Sequence, residues 1–159
     1  MTNPPIFQVY ADTSVFGGVF DDGFDEASRA FFQQVKKGHF QLVISPIVQD
    51  EIEKAPENVR QFFDEITELA EFIDISEEAL QLRKAYLDAG IVTPKSAADA
   101  FHVALATVAG CRLIISWNFK HIVHFQKIPL YRAINALKGY AEINIYSPPG
   151  VINYEGETI

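Results

Sequence analysis

Five short apolar runs of strand length, separated by longer segments with helical periodicity, constrain this chain more than any other feature. The runs are IFQVYA (6–11), FQLVIS (40–45), EFIDI (71–75), RLIIS (112–116) and INIYS (143–147). Strands alternating with helices predict an α/β fold in which crossover helices join strands that run mostly parallel. A sheet of that kind is covered on both faces, so the expected architecture is a three-layer α/β/α sandwich with a mostly parallel sheet of about five strands.

The intervening segments support that count. Residues 25–37 place Ala27, Ala30, Phe31 and Val35 at helical spacing, and residues 59–70 do the same with Val59, Phe62, Phe63, Ile66 and Leu69. Ser76 followed by Glu77 and Glu78 has the pattern of a helix start, with Gly90 as its end. A further helix is expected from Thr93 or Ser96 to Gly110. Gly38, Gly110 and Gly139 stand where helices should stop, just before three of the strand runs.

A chain of 159 residues suits one domain, expected over 1–148, with a polar peripheral tail over 149–159. No segment approaches the roughly 18 uninterrupted apolar residues of a membrane span, and MTNPPIFQVYADTSVF lacks a basic leader region. Neither insertion nor secretion is therefore expected. The single cysteine, Cys111, reads as a packing residue in a reducing cytoplasm.

The net charge of −8 argues against a nucleic-acid binder, but the charge is polarised. Residues 1–90 carry 17 acids against 7 bases, a balance of −10, and residues 91–159 carry 4 acids against 6 bases, a balance of +2. Between Ala100 and Ala141 the charged residues are all basic: Arg112, Lys120, Lys127, Arg132 and Lys138, with His102, His121 and His124 among them. A basic face there is expected.

In parallel sheets, ligands bind beyond the carboxyl ends of the strands, and acids stand at such positions. Asp12 ends the first run, in YADTSVF, where it is either a site residue or the N-cap of the next segment. Glu51, in SPIVQDEIEKA, follows a Ser45-Pro46 helix start; its spacing from Ile47 and Val48 places it on the apolar stripe, where a carboxylate needs a cation or an ion-pair partner. The alternative is a solvated acid at the stripe's edge. Asp99, in SAADAFHVALATVAG, shares a helical face with His102, Val103 and Ala106, though Ser96 and Asp99 also have capping-box spacing.

Three carboxylates at one strand edge repel by roughly 4 kcal/mol per pair at about 4 Å in a medium of effective dielectric about 20. They call for a cation. Oxygen donors without cysteine select a hard ion such as Mg²⁺ or Mn²⁺, which suits phosphodiester hydrolysis. Asn118, in RLIISWNFKH, adds a neutral amide just past the fourth strand, while Trp117 and Phe119 read as packing before base-stacking and His102 as a hydrogen-bonded packing residue. A phospho-acceptor site using Asp12 as nucleophile would want a second acid at position 14, where Ser14 stands.

YADTSVF, SPIVQDEI, DAFHVALA and SWNFKH, in this order, resemble the four motifs of the PIN-domain family. The resemblance implies a metal-dependent RNA endonuclease, of which many small members resemble VapC-type toxins with a cognate antitoxin and a homodimeric state. It would give Asp12, Glu51 and Asp99 to an Mg²⁺ or Mn²⁺ ion, supporting roles to Ser14 and Asn118, and a phosphate contact to Lys120. Asn118 departs from the acid that many members carry there, and the overall acidity departs from an RNA-binding surface. A catalytically silent RNA- or protein-binding module is the second reading.

Overall fold

The protein is described here by a computed structural model covering residues 6–152. Five strands, β1 (Phe7–Ala11), β2 (Phe40–Ile44), β3 (Glu71–Phe72), β4 (Leu113–Ile115) and β5 (Asn144–Tyr146), form one sheet in the order β3-β2-β1-β4-β5. Every pairing is parallel. Each strand lies within one of the five apolar runs. β3 shrinks to two exposed residues at the sheet edge, where a short strand leaves little backbone open to further pairing.

Seven α-helices connect them: α1 (Thr13–Gly18), α2 (Asp25–Lys36), α3 (Pro46–Glu53), α4 (Glu57–Ile66), α5 (Glu77–Asp88), α6 (Ala97–Val108) and α7 (Ile128–Leu137). The helix expected over 59–70 ends differently. Its α-helical part stops at Ile66 and Thr67–Leu69 tighten into a 3₁₀ turn, with Thr67 Oγ1 donating to the Phe63 carbonyl at 2.7 Å. Leu69, expected on the buried face, is turned outward by that tightening and is 52% exposed.

From β1 the chain steps to β2 and β3 in one direction, then crosses back to β4 and β5 in the other. Right-handed crossovers therefore place α1–α4 on one face and α5–α7 on the other. The packing agrees, since α1 touches α2, α3 and α4, while α5 touches α6 and α7. α6 is the most deeply set helix, with Ala100 through Thr107 all buried. Its run of small residues lets the backbone lie close to the sheet.

The winding reverses between β1 and β4, which are neighbours, so the crevice beyond their carboxyl ends is the ligand position of such a sheet. At the far end of the chain, Pro148–Gly150 form a turn that packs on α2, and the Val151 carbonyl accepts from Gln34 Nε2 at 3.0 Å. The first residues of the expected tail are thus packed, and 153–159 lie outside the described residues. Cys111 is buried as packing. Among the described residues no helix is long and apolar enough to cross a membrane.

Candidate active site

Asp12 follows β1 directly, and the register Ala11↔Ile115 sets it beside Ser116, the first residue past β4. Its backbone N–H continues the ladder to the Ile115 carbonyl at 3.2 Å. The carboxylate is 4% exposed and accepts three hydrogen bonds: Ser14 N–H at 3.2 Å and Ser14 Oγ at 2.5 Å on Oδ1, and Ser116 Oγ at 2.6 Å on Oδ2. The bond from Ser14 N makes Asp12 the N-cap of α1. The two readings of Asp12 are therefore compatible, because a cap uses one oxygen and leaves capacity on the other.

Burial raises the Asp12 carboxyl above its ordinary value of 3.8; nearby His102 and the Ser116 and Ser14 hydroxyls oppose this, and Glu51 adds to it. A buried carboxylate whose charged form is disfavoured is a place where a cation would restore balance.

Glu51 departs from the expected burial. Its side chain is 43% exposed, because two-turn α3 fills its inward face with Val48 and Ile52 and leaves Glu51 at the stripe's edge. It does have the partner that a half-buried acid needs: Oε1 lies 2.7 Å from His102 Nε2. Burial raises the Glu51 carboxyl, but the His102 bond, with Thr13 and Lys54, outweighs this and holds it below its ordinary value. Thr13 Oγ1 is buried with no partner in hydrogen-bonding geometry, although it stands close enough to act on Glu51.

Asp99, in the first turn of α6, accepts at Oδ1 from Asn118 Nδ2 at 3.0 Å. The capping-box alternative does not form. Ser96 makes no cap bond and pairs instead with His121 Nε2 at 3.1 Å. Asn118 is engaged at both ends, since its Oδ1 accepts from the His121 backbone at 2.9 Å. It braces Asp99 and the turn after β4.

Trp117 reads as packing, with indole Nε1 donating to Ser28 Oγ at 2.8 Å and its ring 4.5 Å from that of Phe24. Its backbone N–H donates to Ser14 Oγ at 2.8 Å, so the turn is tied to the Asp12 cradle. Phe119, by contrast, is half exposed and stands next to exposed Lys120.

The expected basic face is narrower than the sequence implied. Arg112 precedes β4 and stacks over Phe7 at the amino ends of the central strands, and Arg132 pairs with Glu142. Lys127 donates to the Ile91 carbonyl at 2.9 Å and approaches His121 Nδ1 at 3.2 Å. Burial first, then Lys127, lowers the His121 pKa.

Ser116 on Asp12 and Tyr10 behind Glu51 were not singled out from the sequence, and Ser45 was read there only as a helix start. Each is a polar residue at or near a strand's carboxyl end. That signal becomes readable only when the strand order is known.

Among the described residues, no three His, Cys, Asp or Glu side chains stand at metal-holding spacing. Glu51 is near enough to act on Asp12, and Asp99 is joined to Asp12 through Asn118 and Ser116, without forming a closed cage. The donors still fit a hard divalent cation that keeps part of its water shell: a buried carboxylate short of positive charge, a half-exposed second acid, and an orphaned Thr13 hydroxyl close enough to act on that second acid.

The winding and the acids at its reversal define a doubly wound α/β protein with a carboxylate crevice. A PIN domain profile matches residues 9–121, and the chain belongs to the PIN domain family. No curated protein sequence matches it. Among solved structures, it is similar to VapBC2 from Rickettsia felis bound to a DNA fragment from its promoter, at 15% identity and TM-score 0.54, covering 88% of this chain and 98% of that one. It is also similar to FitAcB from Neisseria gonorrhoeae, at 14% identity and TM-score 0.57, covering 90% and 99%. At those identities the likeness is one of fold.

Proposed function

We propose that the chain is a divalent-metal-dependent endoribonuclease of the cytoplasm, acting as the toxin of a toxin–antitoxin pair. The observation that carries the reading is the buried Asp12 carboxylate at the β1/β4 reversal, cradled by two serine hydroxyls and flanked by Glu51 and Asp99. Membership of the PIN domain family supports a nuclease. The similar folds found in the VapBC2 and FitAcB structures support an antitoxin partner, and a homodimer is proposed on the family resemblance alone.

In this reading Asp12, Glu51 and Asp99 hold Mg²⁺ or Mn²⁺. The bound ion supplies an acidified water and stabilises charge on the phosphate and leaving oxygen. Ser14 and Ser116 fix the plane of the Asp12 carboxylate, while Asn118 fixes Asp99. Lys120 meets a substrate phosphate, and Phe119 offers a face to an unpaired base.

The test is cleavage of structured and unstructured RNAs in Mg²⁺, Mn²⁺ or EDTA, with Asp12→Asn alongside. Metal-dependent cutting that Asp12→Asn loses is the expected result. Asn118, in place of an acid, and the net charge of −8 favour the silent RNA- or protein-binding module as second reading. Failure of Mn²⁺ to bind in calorimetry would make that module the leading account.

A further inference from the structure

A chain of buried polar groups runs behind Glu51. Ser45 Oγ lies 2.7 Å from Tyr10 Oη, Tyr10 Oη 2.6 Å from His102 Nδ1, and His102 Nε2 2.7 Å from Glu51 Oε1. Ser45, Tyr10 and His102 are all buried, at 2% exposure or less, so water contributes little and the groups must satisfy one another.

The donor inventory fixes the direction. Ser45 Oγ accepts from Val48 N–H as the cap of α3, and Tyr10 Oη is the acceptor within its reach among the described residues, so its own proton goes to Tyr10 Oη. Tyr10 then donates to His102 Nδ1, and His102 donates from Nε2 to Glu51. Every donor finds an acceptor with a neutral imidazole in the Nε2–H form. Reversing the chain would leave the Ser45 proton without a place.

Each member also sits on an element that carries one of the three acids. Tyr10 is two residues before Asp12 at the end of β1, Ser45 caps the helix that bears Glu51, and His102 is one helical turn past Asp99 on α6. The chain therefore links all three supports at the level of the site.

We propose that Ser45, Tyr10 and His102 form a positioning relay that holds Glu51 in fixed orientation and register with Asp12 and Asp99, and so sets the affinity of the crevice for a divalent cation. The metal half of this inference rests on the hydrolase reading; the relay itself does not. Hydrogen-bonded supports of metal-binding groups typically change affinity by about 10- to 100-fold when removed.

The experiment begins with nitrogen NMR of ¹⁵N-histidine-labelled, metal-free protein in mildly alkaline buffer, with the His102 signals identified by their loss in His102→Gln. The expected spectrum has Nε2 protonated and Nδ1 bare. A ring protonated at Nδ1 and bare at Nε2 would overturn the relay. Mn²⁺ titration by calorimetry then compares wild type, Tyr10→Phe, His102→Ala and His102→Gln.

Tyr10→Phe and His102→Ala should bind about 10- to 100-fold more weakly while remaining folded by circular dichroism. His102→Gln, which can still donate to Glu51, should recover much of the loss. Lower melting temperatures with unchanged Mn²⁺ affinity would reduce these residues to ordinary packing and overturn the proposal. If wild type binds no Mn²⁺, the hydrolase reading and the metal half of the proposal fall together, while the imidazole spectrum still decides the relay.

Discussion

Gly18 offers a sharp test of how the turn after β4 is held. A Cβ built there would lie 2.6 Å from Ser28 Oγ and 2.7 Å from Trp117 Nε1, the two atoms that hydrogen-bond each other at 2.8 Å. Ser28 can rotate only by giving up that bond, and the indole is backed by Phe24. In Gly18→Ala the overpacking costs about 1–3 kcal/mol, and breaking the hydrogen bond is part of how that cost is met. The better helix propensity of alanine returns at most about 1 kcal/mol at this last helical position. The net is a loss of up to about 2 kcal/mol, or up to about 8 °C in melting temperature for a chain of this size.

Trp117 is the only tryptophan, so its emission reports the displacement directly. A red shift accompanying the lower melting temperature is expected. Because the Trp117 N–H also holds Ser14, any metal-dependent cutting should fall with it. Unchanged emission with an equal or higher melting temperature would refute the reasoning, since it would mean that a methyl group fits between α1 and the indole.

Asp12→Asn should lose hydrolysis by about 10²-fold or more if Asp12 is a metal ligand, while the metal-free fold keeps or gains stability. Because folding raises the Asp12 pKa, its ionisation costs the wild type stability as pH rises through that raised value, and none is lost below the ordinary 3.8. The advantage of the variant should therefore grow with pH in denaturant titrations, and a constant difference would contradict the assignment. Cys111, buried and with its thiol pushed up to about 12, should resist alkylation in native protein at pH about 8 and react on unfolding; rapid native labelling would place it at the surface. Lys120→Glu should weaken RNA binding and flatten its salt dependence, which filter binding across ionic strengths would check; an unchanged affinity at low salt removes Lys120 from the interface.

The sequence by itself determined the order and type of the elements. Local signals sufficed: apolar runs mark the strands, helical spacing and a Ser-Pro start mark α3, and glycines mark the stops at residues 38, 90, 110 and 139, all at positive φ. It also marked Asp12, because an acid after an apolar run is a local pattern. Spacing alone left Asp12 open as cap or site residue, and the fold makes it sit at a site position while also capping α1.

Tertiary structure alone decided who stands beside whom. Ser116 reaches Asp12 only because β4 lies next to β1, and His102 reaches Glu51 only because α6 and α3 approach the same sheet edge from opposite faces. Helical register put Glu51 on the apolar stripe, but a two-turn helix with room inside for only Val48 and Ile52 left it half exposed. Arg112 was assigned to the basic face by proximity in sequence, and the strand it precedes holds it at the amino end, away from Asp12. Periodicity describes one element at a time, whereas a site is made of contacts between elements, and those follow from strand order and crossover handedness.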